Sequence, residues 1–196
     1  MPYIVFEGID GSGTTTQSKR LASKLGGQWT NEPTEGLVGR FVREIFEKKH
    51  GDLPNWKTMF HLFQADREMH YEKIREWLRR KRFVVADRSW MSSLTYQVTS
   101  AEMHGANSRE VEELIQLSNE GAPKADVTFI LDVPAVEALS RKKKEPDHYA
   151  QRDYLELVRM KYLKIGGTQV RRIDTTGKGV DEVAAEIDMQ LAECGF

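Results

Sequence analysis

The stretch FEGIDGSGTTTQ, residues 6–17, constrains this chain more than any other. A short apolar run, YIVFE (3–7), leads into glycines at positions 8, 11 and 13 and then into a row of threonines. Gly8 and Gly13 stand five apart, as in the pattern G-x-x-x-x-G-K-[ST]. In that pattern the glycines let backbone N–H groups point at phosphates, the next helix offers its N-terminus, and the hydroxyl residue binds Mg²⁺. Gly8, Gly11, Ser12, Gly13, Thr14, Thr15 and Thr16 therefore form the expected cradle for a polyphosphate, with Thr15 in the hydroxyl position. Thr14 stands where the lysine belongs. In a water-poor site a charge-assisted contact contributes about 1.5–3 kcal/mol, so phosphoryl transfer slows tenfold or more unless another cation substitutes. Arg141, Lys142, Lys143 and Lys144 are the obvious reserve.

A dinucleotide-binding turn is the competing reading of the same loop. Gly11 and Gly13 supply G-x-G, and Glu32 lies about 20 residues further on. The third glycine position, however, is Thr16, and none of the six tyrosines has a lysine four residues later, as a short-chain dehydrogenase needs. A nucleoside phosphate fits better than NAD.

Further apolar runs, FVVAD (83–87) and VTFILDV (127–133), have the look of strands buried on both faces, with weaker candidates at QWTN (28–31) and QVRRID (169–174). Helical spacing separates them: Leu21 with Leu25, Ile74 with Leu78, and Val183, Ile187 and Leu191 at intervals of four. Strands alternating with helices predict an α/β protein with a five-stranded parallel sheet and helices on both faces, a three-layer arrangement of one domain over residues 1–196. Ligands in such sheets sit at the carboxyl ends of the strands.

The chain's 29 basic and 30 acidic residues nearly cancel, so nothing in the overall charge calls for a nucleic-acid or membrane partner. Phosphate binding must come from local clustering, and RKKKEPDHYAQR (141–152), the most polar stretch, reads either as a solvated surface or as a basic flap over a polyphosphate. Cys194 excludes an intrachain disulfide and reads as a frayed terminal residue. With no basic and apolar leader in MPYIVFEGID and no apolar run near the roughly 20 residues that span a bilayer, the expectation is a soluble, cytoplasmic protein.

Four segments in order, FEGIDGSGTTTQ, LFQADR (62–67), DRSWMSSLTYQ (87–97) and YLELVRMKYLKI (154–165), together resemble the thymidylate kinases, P-loop nucleoside-monophosphate kinases. The resemblance spans essentially the whole chain. It implies ATP and Mg²⁺ as cofactors, dTMP as the acceptor, the P-loop kinase fold and a homodimer. By motif position, Asp10 resembles the carboxylate that bonds the acceptor's sugar 3′-hydroxyl. Phe63 resembles the aromatic that stacks on thymine, with Arg67 on the same helical face addressing the base. Arg88 resembles the arginine that grips the acceptor phosphate, Arg43 a second such arginine, and Pro33 belongs to the same acceptor segment. Ser92, Ser93 and Tyr96 match base- and sugar-contacting positions, and Asp87 joins Thr15 at Mg²⁺. The basic stretch at about 141–152 coincides with the family's lid, where Arg141 resembles the residue that packs on adenine and Arg152 or a lysine approaches the transferred phosphoryl group. Asn31, Ser89 and the Asp147-His148 pair depart from the family pattern. A kinase for another deoxynucleoside monophosphate, or a catalytically impaired regulatory relative, remains the alternative.

Overall fold

The computed structural model describes residues 2–80, 82–141 and 152–196. Lys142, Lys143, Lys144, Asp147 and His148, the interior of the expected lid, lie outside the described residues.

Five strands, β1 (Tyr3–Gly8), β2 (Gln28–Asn31), β3 (Val84–Asp87), β4 (Val127–Asp132) and β5 (Val170–Asp174), form one parallel sheet in the order β2-β3-β1-β4-β5. The connections carry α1 (Thr14–Lys24), α2 (Leu37–Phe46), α3 (Trp56–Arg79), a π-helical turn (Ser93–Gln97) running into α4 (Val98–Met103), α5 (Ser108–Ser118), α6 (Ala135–Arg141) and α7 (Arg152–Tyr162). The last helix, α8 (Val180–Glu193), follows β5. All five sequence-predicted strands are present, the two weak ones at the sheet edges.

Alternation along β1 explains why its sequence is continuously apolar. Ile4 and Phe6 face α1 and α8, where they meet Leu21, Val183, Ile187 and Leu191. Tyr3 and Val5 face the other way, onto Tyr71 and Ile74 of α3. Each strand residue is thus covered whichever side it points to, as crossover helices require. Cys194, expected to fray, is half-buried and packs against the α1/α8 side of the core.

Helix starts are set locally. Asn55 caps α3 by accepting from Thr58 N at 3.0 Å, and Glu182 reaches back to Gly179 N at the start of α8 at 2.7 Å. The start of α1 differs: its N-cap is Gly13, and no side chain takes the first N–H groups. Those donors stay open at the carboxyl edge of β1, beside the ends of β3 and β4, where the topology brings a site together.

Candidate active site

The glycine loop holds its shape because each glycine is needed differently. Gly11 has φ +88, and a Cβ there would stand 2.2 Å from the Ala138 carbonyl oxygen of α6. Gly13 has φ +103 but open space around it. Above the loop lies a cavity of about 660 Å³ bordered by residues 11–17, Arg141, Thr175 and Lys178. Arg141 is fixed at its wall by Glu137 Oε1 at 2.6 Å and the Thr175 carbonyl oxygen at 2.6 Å. Ser12 Oγ is buried with no partner among the described residues. Thr14 opens α1 and is only 5% exposed.

A second cavity, about 560 Å³, opens between β3, α2, α3 and the π-helical turn. Pro33, Arg43, Phe63, Arg67, Ser92, Ser93 and Tyr96 all border it, so the topology brings the expected acceptor residues together. Asp10, Thr15 and Arg88 border both cavities. Any two ligands filling them would meet there. Arg152 is exposed at the start of α7 and borders neither.

Arg88 sits at this junction with φ +75, a left-handed backbone that a non-glycine residue adopts only where its surroundings enforce it. Its Nη2 donates to Asp10 Oδ1 at 2.6 Å, and its Nη1 to the Gly8 carbonyl oxygen at 3.0 Å. Burial works against its charge, but Tyr96, Tyr162, Asp10 and Asp87 outweigh it and hold the guanidinium charged. Beneath it, Glu7 accepts from Ser92 Oγ at 2.7 Å, Tyr162 Oη at 2.8 Å, and Ser89 N and Oγ at 2.8 Å each. Burial pushes Glu7 above the usual carboxylate range despite Arg88 and these donors. Ser89 is thus engaged with Glu7 and does not border the acceptor cavity, whereas Asn31 does.

Arg67 is buried, 1% exposed, and answers to three partners: Glu32 Oε2 at 2.7 Å, Gln64 Oε1 at 2.8 Å and Ser93 Oγ at 2.7 Å. Glu32 in turn is bonded by His70 Nδ1 at 3.1 Å, while His70 Nε2 lies 2.7 Å from Thr30 Oγ1. Burial raises the Glu32 pKa, but the Arg67 charge and the His70 hydrogen bond more than offset it and leave the carboxyl below its ordinary value. The Arg67 guanidinium also lies 5.5 Å from the Phe63 ring centre, so base-stacking and base-reading candidates form one unit. Arg43 is held by the Pro33 carbonyl and by Glu35 at 3.1 Å.

Thr15 Oγ1 donates to Asp87 Oδ2 at 2.5 Å. Asp87 Oδ1 is buried without a partner among the described residues. Two hard oxygen donors side by side, one unsatisfied, fit a Mg²⁺ that takes most of its ligands from water and phosphate.

Four residues of the site were not singled out for these roles by sequence reasoning: Glu7, Glu32, Gln97 and Tyr162. Glu7, Gln97 and Tyr162 lie inside segments that were, Glu32 stands next to Pro33, and Glu7 carries its own signal, a charge at the end of a buried strand. Gln97 borders the acceptor cavity, is 4% exposed, and has both amide atoms without a partner among the described residues. A buried, unsatisfied amide facing a cavity is a feature a ligand would complete.

The parallel sheet, the uncapped glycine-loop helix and the two cavities define the P-loop class of nucleotide-binding α/β proteins. A model of the thymidylate kinase family matches residues 6–187. The chain is 44% identical over 186 residues to a protein of Methanocaldococcus jannaschii described as "Probable thymidylate kinase", covering 94% of this chain and 93% of that one. A Pyrococcus abyssi protein of the same description is 36% identical over 198 residues, covering 94% and 93%. The fold superposes on thymidylate kinase from Candida albicans with a TM-score of 0.85 at 23% identity, covering 98% of this chain and 91% of that one. This chain belongs to the thymidylate kinase family.

Proposed function

We propose that this chain, acting as a single P-loop kinase domain, phosphorylates dTMP to dTDP with MgATP, a step toward dTTP. The observation that carries the reading is the pair of cavities that share, among the described residues, Asp10, Thr15 and Arg88: one fits a nucleoside triphosphate over the loop, the other a nucleoside monophosphate. The bond from the γ-phosphorus to the β,γ-bridging oxygen breaks, its electrons staying on ADP. A new bond forms to an oxygen of the dTMP phosphate.

The protein's part is position and charge. The open N–H groups at the start of α1 cradle the donor phosphates, and Arg141 lies along the donor wall toward adenine. Arg88, with Arg43, holds the acceptor phosphate, and its planar fork can bind two oxygens. Asp10 takes the sugar 3′-hydroxyl, with Tyr96 beside it. Phe63 stacks on the base, while Arg67, Ser93 and Gln97 supply hydrogen bonds to its edge. Thr15 and Asp87 would hold Mg²⁺, directly or through water, and that ion supplies charge neutralisation on the β- and γ-phosphates. Arg152 and the lid lysines are proposed to close over the phosphoryl group and exclude water. A homodimer and a cytoplasmic location belong to the same reading, supported by the family resemblance.

ADP formation with MgATP and dTMP, against dUMP, dCMP, dGMP and no acceptor, tests it. Strong dTMP-dependent turnover supports the reading. Equal turnover of dCMP or dGMP defeats the acceptor assignment, and none with any acceptor leaves a nucleotide binder without transfer activity.

A further inference from the structure

Thr14 leaves the first turn of α1 without its cation, and no neutral side chain restores that charge. Another cation lies one turn along the same helix. Lys19 follows Thr15 by four residues, so the two share a face, and both border the acceptor cavity together with Asp87. Helical side chains lean toward the N-terminus of their own helix, and one turn is a rise of about 6 Å, which the four-carbon lysine stem spans. Thr15 is therefore within reach of the Lys19 ammonium group.

Its present hold is weak. Lys19 Nζ rests 4.6 Å from the centre of the Trp29 ring, which is fixed by donating from Nε1 to Ser18 Oγ at 3.0 Å. An exposed cation–ring contact of this kind shifts an equilibrium only about two- to fivefold. The neighbouring cations of α1 are committed elsewhere, Arg20 to Asp181 at 2.5 Å and Lys24 to Asp188 at 2.7 Å. Lys19 forms no ion pair among the described residues, while Asp87, which borders the same cavity, has an oxygen with no partner among them.

We infer that Lys19 is a phosphate-facing catalytic residue of this chain, standing in for the lysine that position 14 lacks. It leaves Trp29 when both nucleotides are bound and meets the negative charge that develops between Thr15 and Arg88. The inference rests on the phosphotransfer reading above.

The test is a cycle of Lys19→Met in two backgrounds, natural and Thr14→Lys, with melting temperature as the control for folding. With Thr14 present, Lys19→Met is expected to lower kcat about tenfold or more, to leave KM for dTMP within about threefold, and to be largely rescued by Lys19→Arg. With Thr14→Lys, the same change is expected to cost less than about threefold. Equal losses in both backgrounds, or no loss in the first, overturn the inference. A readout independent of turnover is calorimetric affinity, in Mg²⁺, for an analogue joining adenosine to thymidine through five phosphates. Lys19→Met is expected to weaken it about tenfold without changing affinity for dTMP alone. If the natural protein fails to phosphorylate dTMP yet binds the analogue with this dependence, the activity reading and the catalytic role fall, and Lys19 stands as a phosphate-binding residue only. Unchanged analogue affinity in Lys19→Met overturns it whatever the turnover, and an analogue that does not bind the natural protein overturns both.

Discussion

Arg88 Nη2 lies 2.6 Å from Asp10 Oδ1, tying the end of β3 to the glycine loop at the point where the donor and acceptor cavities meet. Because that guanidinium also spans to Gly8 and Tyr162, its planar geometry matters as much as its charge. Arg88→Lys is expected to lower kcat/KM for dTMP about a hundredfold, some 2.7 kcal/mol of transition-state stabilisation, with secondary structure retained by circular dichroism. Near-normal turnover would remove Arg88 from the mechanism.

Gln97 separates stability from binding. Its amide is buried and unsatisfied, so Gln97→Leu, similar in size and apolar, is expected to leave the melting temperature unchanged or raised. The same change is expected to weaken dTMP binding about tenfold, read by calorimetry, as one hydrogen bond to the base is lost. A loss of stability with normal binding would make Gln97 a structural residue.

Glu32 sets an acid limit on the fold. A carboxyl held below its ordinary pKa contributes stability that is present above about pH 4.3 and is lost as pH falls through its lower folded value. Glu7 runs oppositely: raised by burial, it favours the folded state most at low pH and less as pH rises. Glu32→Gln is therefore expected to flatten the acid limb of a urea-unfolding series relative to the natural protein. At pH 7 it should cost about 3–5 kcal/mol, because Arg67 is left charged and buried without its carboxylate. An unaltered acid limb would mean that the Glu32 carboxyl titrates alike in the folded and unfolded protein.

The loop glycines should not respond alike. Gly13→Ala meets only the conformational cost of a left-handed residue, about 1–2 kcal/mol, because its surroundings are open. Gly11→Ala adds a collision with the Ala138 carbonyl and must displace the loop or α6. Gly11→Ala is expected to be the less stable of the two in denaturant midpoint and to lose ATP affinity more. The reverse order would show that α6 yields easily.

Much of this was legible in the chain. The three inner strands were plain because parallel strands under two helical layers are apolar at nearly every position, as β1, β3 and β4 are in runs such as YIVFE and VTFILD, whereas the edge strands β2 and β5 carry weaker patterns. Arg67 was legible only by resemblance: its spacing from Phe63 put both on one face of α3, but nothing local says that its partners include Glu32, just after β2, and Ser93 of the π-helical turn. Ser89 shows the converse, since a departure from the family pattern that suggested a changed acceptor site turns out to bond Glu7 inside the sheet.

By itself, then, the sequence determined the loop, the strand and helix periods and the neutral residue at position 14, because these depend on neighbours a few residues apart. Only the tertiary structure decided which charges meet. Glu7 with Tyr162, Asp10 with Arg88, Thr15 with Asp87 and Lys19 with Trp29 are joined by the strand order and by helices crossing it. Hydrogen bonds and desolvation act over a few ångströms of space, and separation along the chain carries no record of that distance.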